Sequence, residues 1–121
     1  MRILSRFAPP LILMAVIFAL SAQPGLDSGL AWDKVLRKAA HMTEFGLLWF
    51  LWWRALGYGR RLQAVAIALG YAVTDEIHQS FVRDRVGSPV DVLIDAAGIA
   101  IAILATRRVQ TRRRRSDSVA A

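Results

Sequence analysis

The side chains able to do chemistry are concentrated in one stretch. Residues 75–98, DEIHQSFVRDRVGSPVDVLIDAAG, hold five of the nine acidic residues and one of the two histidines. Apolar sequence flanks the stretch on both sides, at residues 62–73 and 99–105. Ionisable groups inside a membrane bundle cost roughly 2.5–3.5 kcal/mol each on insertion scales, so they face a cavity or a partner. A second polar set, Lys38, His41 and Glu44, advances by three residues at a time along one inclined stripe of a helix. A histidine beside a carboxylate can accept a proton or act as a general base.

His41, Glu44, Asp75, Glu76 and Asp91 are therefore the acid–base candidates. Gln23, Lys38, Gln79, Arg85 and Asp95 are the candidate ligand-binding residues. Arg85 suits bidentate contact with phosphate or carboxylate. Each has a plainer reading beside it. Lys38 can snorkel to a membrane surface. Ser88 reads as an N-cap, with Pro89 at the first helical position and Asp91 at the third. Asp95, one turn deeper, has no such explanation. An oxygen-rich set of this kind suits Mg²⁺, Mn²⁺ or Ca²⁺ better than Zn²⁺, yet no HExxH or comparable motif is present. The expectation is no metal and no cofactor. None of the serines sits in a GxSxG elbow, and with no cysteine there is neither a disulfide nor a thiolate site.

Four helices must position these residues. The first is the apolar run 7–22, with Pro9 and Pro10 placed in its first turn. Ala19-Leu20-Ser21 has small residues spaced like a signal-peptide cleavage site; the favoured reading keeps the helix. A loop at 23–29 follows, and Asp33 caps a second helix running to about Leu56. Trp49, Trp52 and Trp53 near its end mark the headgroup level. A basic turn (Arg54, Arg60, Arg61) leads to a third helix over 62–82, and the fourth runs from Ser88 to about Thr106. Gly98 with Ala102, and Ala66 with Gly70, are small-residue pairs that let another helix approach closely.

Along the third helix, Asp75 and Gln79 share a face, while Glu76 and His78 lie about 160° apart around the axis. The four cannot all point at one centre. Asp75 or Glu76 is expected to turn inward with Gln79, and His78 toward the interface or a neighbouring helix.

The chain has 121 residues, 55% of them apolar and 21% charged, with a formal net charge of +7. Long apolar windows separated by charge describe a small membrane protein of one domain. Six arginines follow the last apolar window, which fits an anchor beside anionic lipid, with no nucleic acid as partner. With the N-terminus inside, eleven basic residues fall on the cytoplasmic side and five outside. The fold expected is all-α: four transmembrane helices in a compact bundle, both termini cytoplasmic, over residues 1–106. Residues 107–121 are expected to be a disordered basic cytoplasmic tail. In that topology nearly every intramembrane polar group occupies the outer half of the bundle, as though lining an outward-facing cavity.

The chain resembles the VanZ-like family of small bacterial membrane proteins, named after a member of a glycopeptide-resistance gene cluster. The resemblance rests on Ser21-Ala22-Gln23, on Lys38-Ala39-Ala40-His41 with Glu44 and Phe45, and on Asp75-Glu76-Ile77-His78-Gln79 followed by Phe81, Arg85, Ser88, Asp91 and Gly98. Asp84 stands where the family often has glycine, and Asp95 where asparagine is common. The resemblance implies a helical domain in the bacterial cytoplasmic membrane and a link to teicoplanin resistance. Two functions fit. One is binding or modification of an outer-leaflet lipid or cell-wall intermediate. The other is an intramembrane hydrolase or transferase acting on an anionic lipid-linked substrate.

Overall fold

A computed structural model describes residues 2–22, 31–82 and 89–120 of the chain. Gln23, Asp84, Arg85 and Ser88 lie outside the described residues. The described part is all-helical: α1 (Arg2–Ser21), α2 (Ala31–Ala55), α3 (Arg61–Ser80) and α4 (Pro89–Ala120). Pro89 is the first residue of α4, where its missing N–H costs nothing. The α2 helix packs on all three others, most extensively on α4, and α3 touches both α1 and α4. Two helices, α1 and α4, are long and apolar enough to cross a membrane.

Each helix presents one narrow inward stripe. In α1 it is Pro10, Ile17 and Ser21; in α3 it is Ala64, Ala68 and Ala72, continuing to Asp75, Glu76 and Gln79. Phe45, Leu48, Trp49 and Trp53 of α2, with Ile99 of α4, complete the core. Large aliphatic and aromatic side chains stay exposed on every helix, among them Leu11 and Phe18, Leu36 and Leu47, Leu62 and Ile77, Leu93 and Ile101. Three carboxylates, those of Asp75, Glu76 and Asp95, are buried while these large apolar side chains stay exposed, a combination unlike that of a water-soluble bundle.

The tightest approach is between α2 and α4. A methyl group built on Gly98 would run into the backbone of Met42, and one on Gly46 would come within 2.9 Å of the Gly98 carbonyl oxygen and 3.4 Å of the Ala102 side chain. The small-residue pair expected on α4 is thus the contact that lets the two backbones meet. The pair expected on α3 is not used so. Gly70 and Ala66 face outward, and nothing lies within 4 Å of where a Gly70 side chain would begin. Ala64, Ala68 and Ala72, a quarter of the way or more round the helix, are the small residues turned inward.

The α1–α2 pair is tied at the end opposite the carboxylates. Helix α1 starts at Arg2, so Pro9 and Pro10 lie inside it and not in its first turn. Pro9 has no N–H to give the Ser5 carbonyl four residues back. The Arg54 guanidinium donates to that oxygen instead, at 3.3 Å. Arg6 answers by donating to the Ala55 carbonyl, an acceptor left over at the end of α2, at 3.1 Å from Nε and 2.7 Å from Nη2.

The α2–α3 turn is a Schellman cap. Tyr58 N–H donates to the Trp53 carbonyl at 2.9 Å and Gly57 N–H to that of Arg54 at 3.1 Å. Gly57 (φ 79°) and Tyr58 (φ 64°) are both left-handed, and the Tyr58 ring meets Trp53 edge-on at 4.9 Å. Trp49 and Trp53 do not form the headgroup belt expected of them. They are 0% and 3% exposed and stack on each other at 5.2 Å, because four-residue spacing puts them on the face that also carries Phe45.

Two further expectations change. Helix α2 begins at Ala31, so Asp33 lies within its first turn and is not the cap. Helix α4 does not end near Thr106 but continues to Ala120, through the residues expected to be a disordered tail. Arginine and glutamine are good helix formers, and neither Gly nor Pro interrupts residues 99–120.

Candidate functional site

The polar residues of all four helices meet at the end of the bundle formed by the C-termini of α1 and α3 and the N-terminal halves of α2 and α4. On α3, Asp75 and Gln79 are one turn apart, so the Gln79 amide donates to Asp75 Oδ2 at 3.1 Å. The same Nε2 reaches the Ser21 hydroxyl at the end of α1, at 3.3 Å. Across the bundle His41 Nδ1 lies 3.2 Å from Asp95 Oδ1, the ion pair found among the described residues.

Burial separates these groups. Asp95 is 1% exposed, Asp75 3%, Gln79 6% and Glu76 7%. His41, Glu44 and Asp91 are partly buried, and Lys38 is exposed. Asp75 is near enough for its charge to act on His41, Glu44 and Asp95, and Asp91 acts on Asp95. The candidates His41, Glu44, Asp75, Glu76, Gln79, Asp91 and Asp95 thus share one end of the bundle. Lys38 stands at its periphery, and Gln23 and Arg85 lie outside the described residues.

The partner of His41 is the main revision. Its spacing along α2 points to Glu44, three residues on, but the carboxylate it meets is Asp95 of α4. The rotation of α4 against α2 presents the Asp95 carboxylate to the His41 ring across the helix interface. The α2–α4 contact at Gly98, one turn below Asp95, brings the helices close enough for this. Ser21 is the residue that the candidate set missed. Its signal was available, since a serine at the end of an apolar run has no solvent reason to be there.

His78 turns away from Asp75, as the angular reading of α3 expects. Its ring stacks on Phe18 of α1, centroids 4.3 Å apart and 13° from parallel. The floor of the site is apolar and aromatic. Phe45, fully buried, lies 6.1 Å from the His41 ring and 6.2 Å from that of Tyr71. The Tyr71 hydroxyl donates to the Met14 carbonyl at 2.5 Å, fixing α3 against α1 one turn below Asp75.

Acceptor capacity is left over. Asp75 Oδ1 and Asp95 Oδ2 are buried and have no hydrogen-bond partner among the described residues. Buried carboxylate oxygens without donors are costly, and such groups call for an explanation. No three of the described histidine and carboxylate side chains converge closely enough to hold a metal ion. The arrangement is suited to accepting hydrogen bonds from hydroxyl or amino groups, and to moving a proton through the His41–Asp95 pair.

A sequence model of the VanZ/LLP1 family matches residues 7–110, a span that contains α2 and α3 whole, most of α1 and α4, and every candidate residue. The chain belongs to this family. Neither a curated protein nor a solved structure matches it. In this VanZ-like protein the run Asp75-Glu76-Ile77-His78-Gln79 of α3 supplies three of the buried polar side chains, and Asp95 of α4 is the carboxylate partner of His41.

Proposed function

We propose that this VanZ-like protein is a four-span protein of the bacterial cytoplasmic membrane, with both termini inside. Its polar end opens outward to bind or modify an outer-leaflet lipid or cell-wall component. The observation that carries the reading is the burial of Asp75 and of Asp95 in a bundle that exposes large apolar side chains on all four helices. Evolution of a bundle toward stability alone favours apolar packing at such positions, so carboxylates kept there are accounted for by a ligand. Their spare oxygens suit a sugar or amino group, and an arginine such as Arg85, in the sequence between α3 and α4, suits the phosphate of a lipid-linked intermediate. An effect on glycopeptide susceptibility follows if that ligand is a cell-wall component.

One observation favours catalysis as a second reading. Asp95 engages His41 through Nδ1, which leaves Nε2 as the ring nitrogen for a second partner on a side chain 23% exposed. A carboxylate that orients a histidine in this way equips it as a general base. The chain would then be a hydrolase or transferase acting on an anionic lipid-linked substrate.

The test gives purified protein extracted envelope lipids and follows them by mass. A species that co-purifies unchanged supports binding, and one that is converted supports catalysis, with His41→Ala abolishing conversion but not retention. If no envelope lipid is retained or changed, the proposal is wrong.

A further inference from the structure

The opposite end of the molecule carries a separate basic cleft. It has a volume of about 530 Å³ and lies between the α2–α3 turn and the extended part of α4. Tyr58, Arg60, Arg61, Gln63, Gln110 and Arg114 line it. The carboxylates of the polar site are all at the other end of the bundle; the described carboxylate nearest in sequence to the cleft's arginines is Asp117, one turn beyond Arg114 on α4, and it forms no ion pair among the described residues.

The three arginines play different parts. Arg61 is held in place: its guanidinium lies 5.0 Å from the Trp53 ring centroid and donates to Gln110 of α4. Its carbonyl accepts from Trp49 Nε1 at 3.3 Å. Arg60 and Arg114 form no ion pair among the described residues. Arg60 is also the N-cap of α3, where no side chain caps the helix and no acidic residue occupies the first turn. The unbonded amides of that turn therefore add to the positive field of the arginines. Exposed Leu62, 84% accessible, sits at the same level as an apolar wall.

We propose that this cleft binds the phosphate of an anionic phospholipid, in the leaflet at the α2–α3 turn. The inference rests on the membrane reading given above, though not on the polar site or its ligand. Paired guanidinium groups over a phosphodiester, with a tyrosine hydroxyl at hand and an aliphatic side chain for the acyl region, match that chemistry. The helical continuation of α4 then has a purpose. It carries Arg114 two turns past Arg107 to the mouth of the cleft.

The test uses the full chain in detergent micelles, with native mass spectrometry reading retained phosphatidylglycerol against phosphatidylcholine. Wild-type protein should retain phosphatidylglycerol selectively, and Arg60→Gln and Arg114→Gln should each lower that selectivity roughly fivefold. Arg112→Gln and Arg115→Gln, exposed arginines of α4 outside the cleft, remove the same charge and should change it little. Equal losses in both pairs would mean diffuse attraction to the basic helix and would overturn the proposal. So would equal retention of the two lipids, or displacement by millimolar inorganic phosphate, which assigns the cleft to a soluble anion. Protein released from membranes by alkaline carbonate would show that the membrane reading itself had failed.

Discussion

Gly98 of α4 lies directly against the backbone of Met42 in α2, the residue after His41 and one turn from Asp95. The contact that closes the bundle is therefore also what sets the 3.2 Å separation of His41 and Asp95. A methyl group at Gly98 must push α4 away from α2, and overpacking of this kind costs about 1–3 kcal/mol. Gly98→Ala should lower the melting temperature of the purified protein, while Gly70→Ala, with open space around it, should hold or slightly raise it. Equal melting temperatures for the two variants would refute the close approach.

The turn between α2 and α3 depends on a left-handed residue at position 57. Gly57→Ala forces an L-residue into that conformation at a cost of about 1–2 kcal/mol. Gly59→Ala introduces a side chain that meets nothing within 4 Å and should be neutral. Thermal unfolding of both variants checks this, and a Gly57→Ala protein as stable as wild type would show that the Schellman cap is dispensable.

The proposed four-span topology has a direct assay. A reporter active only outside the cytoplasm should be silent when fused after Ala121 and active when inserted at Gly25. Activity at the C-terminus contradicts the topology. A mature protein lacking its first 21 residues would restore the signal-peptide reading of Ala19-Leu20-Ser21.

Much of this arrangement is legible in the sequence, and the rest is not for a physical reason. Spacing along one helix fixes which of its residues share a face. Hence the Asp75–Gln79 bond and the outward turn of His78 could be read in advance. The rotation of one helix against another is not written in either helix alone. That is why His41 meets Asp95 and not Glu44, and why Ala64, Ala68 and Ala72 are used in place of Ala66 and Gly70. Trp49 and Trp53 mislead for a related reason: an apolar indole fits a core as well as a membrane surface, and composition does not choose between them. The extent of α4 is hidden by its charge: a run of arginines suggests disorder, yet arginine-rich sequence without Gly or Pro is a good helix former.

Under the proposed function the buried carboxylates serve a ligand and not the fold. The deciding measurement is teicoplanin susceptibility in cells producing Asp75→Asn or Glu76→Gln, both at buried positions of α3, with membrane abundance measured in the same cells. The amide keeps the shape and relieves the desolvation of a buried charge, so both variants should reach at least normal abundance. Under the proposed function, cells producing the wild-type protein differ in teicoplanin susceptibility from cells without it; both buried variants should lose that difference, while Asp117→Asn, at an exposed position of α4, should keep it. Buried variants that match the wild type in susceptibility, at wild-type abundance, would reduce the cluster to polar packing and rule out a ligand-binding role for it.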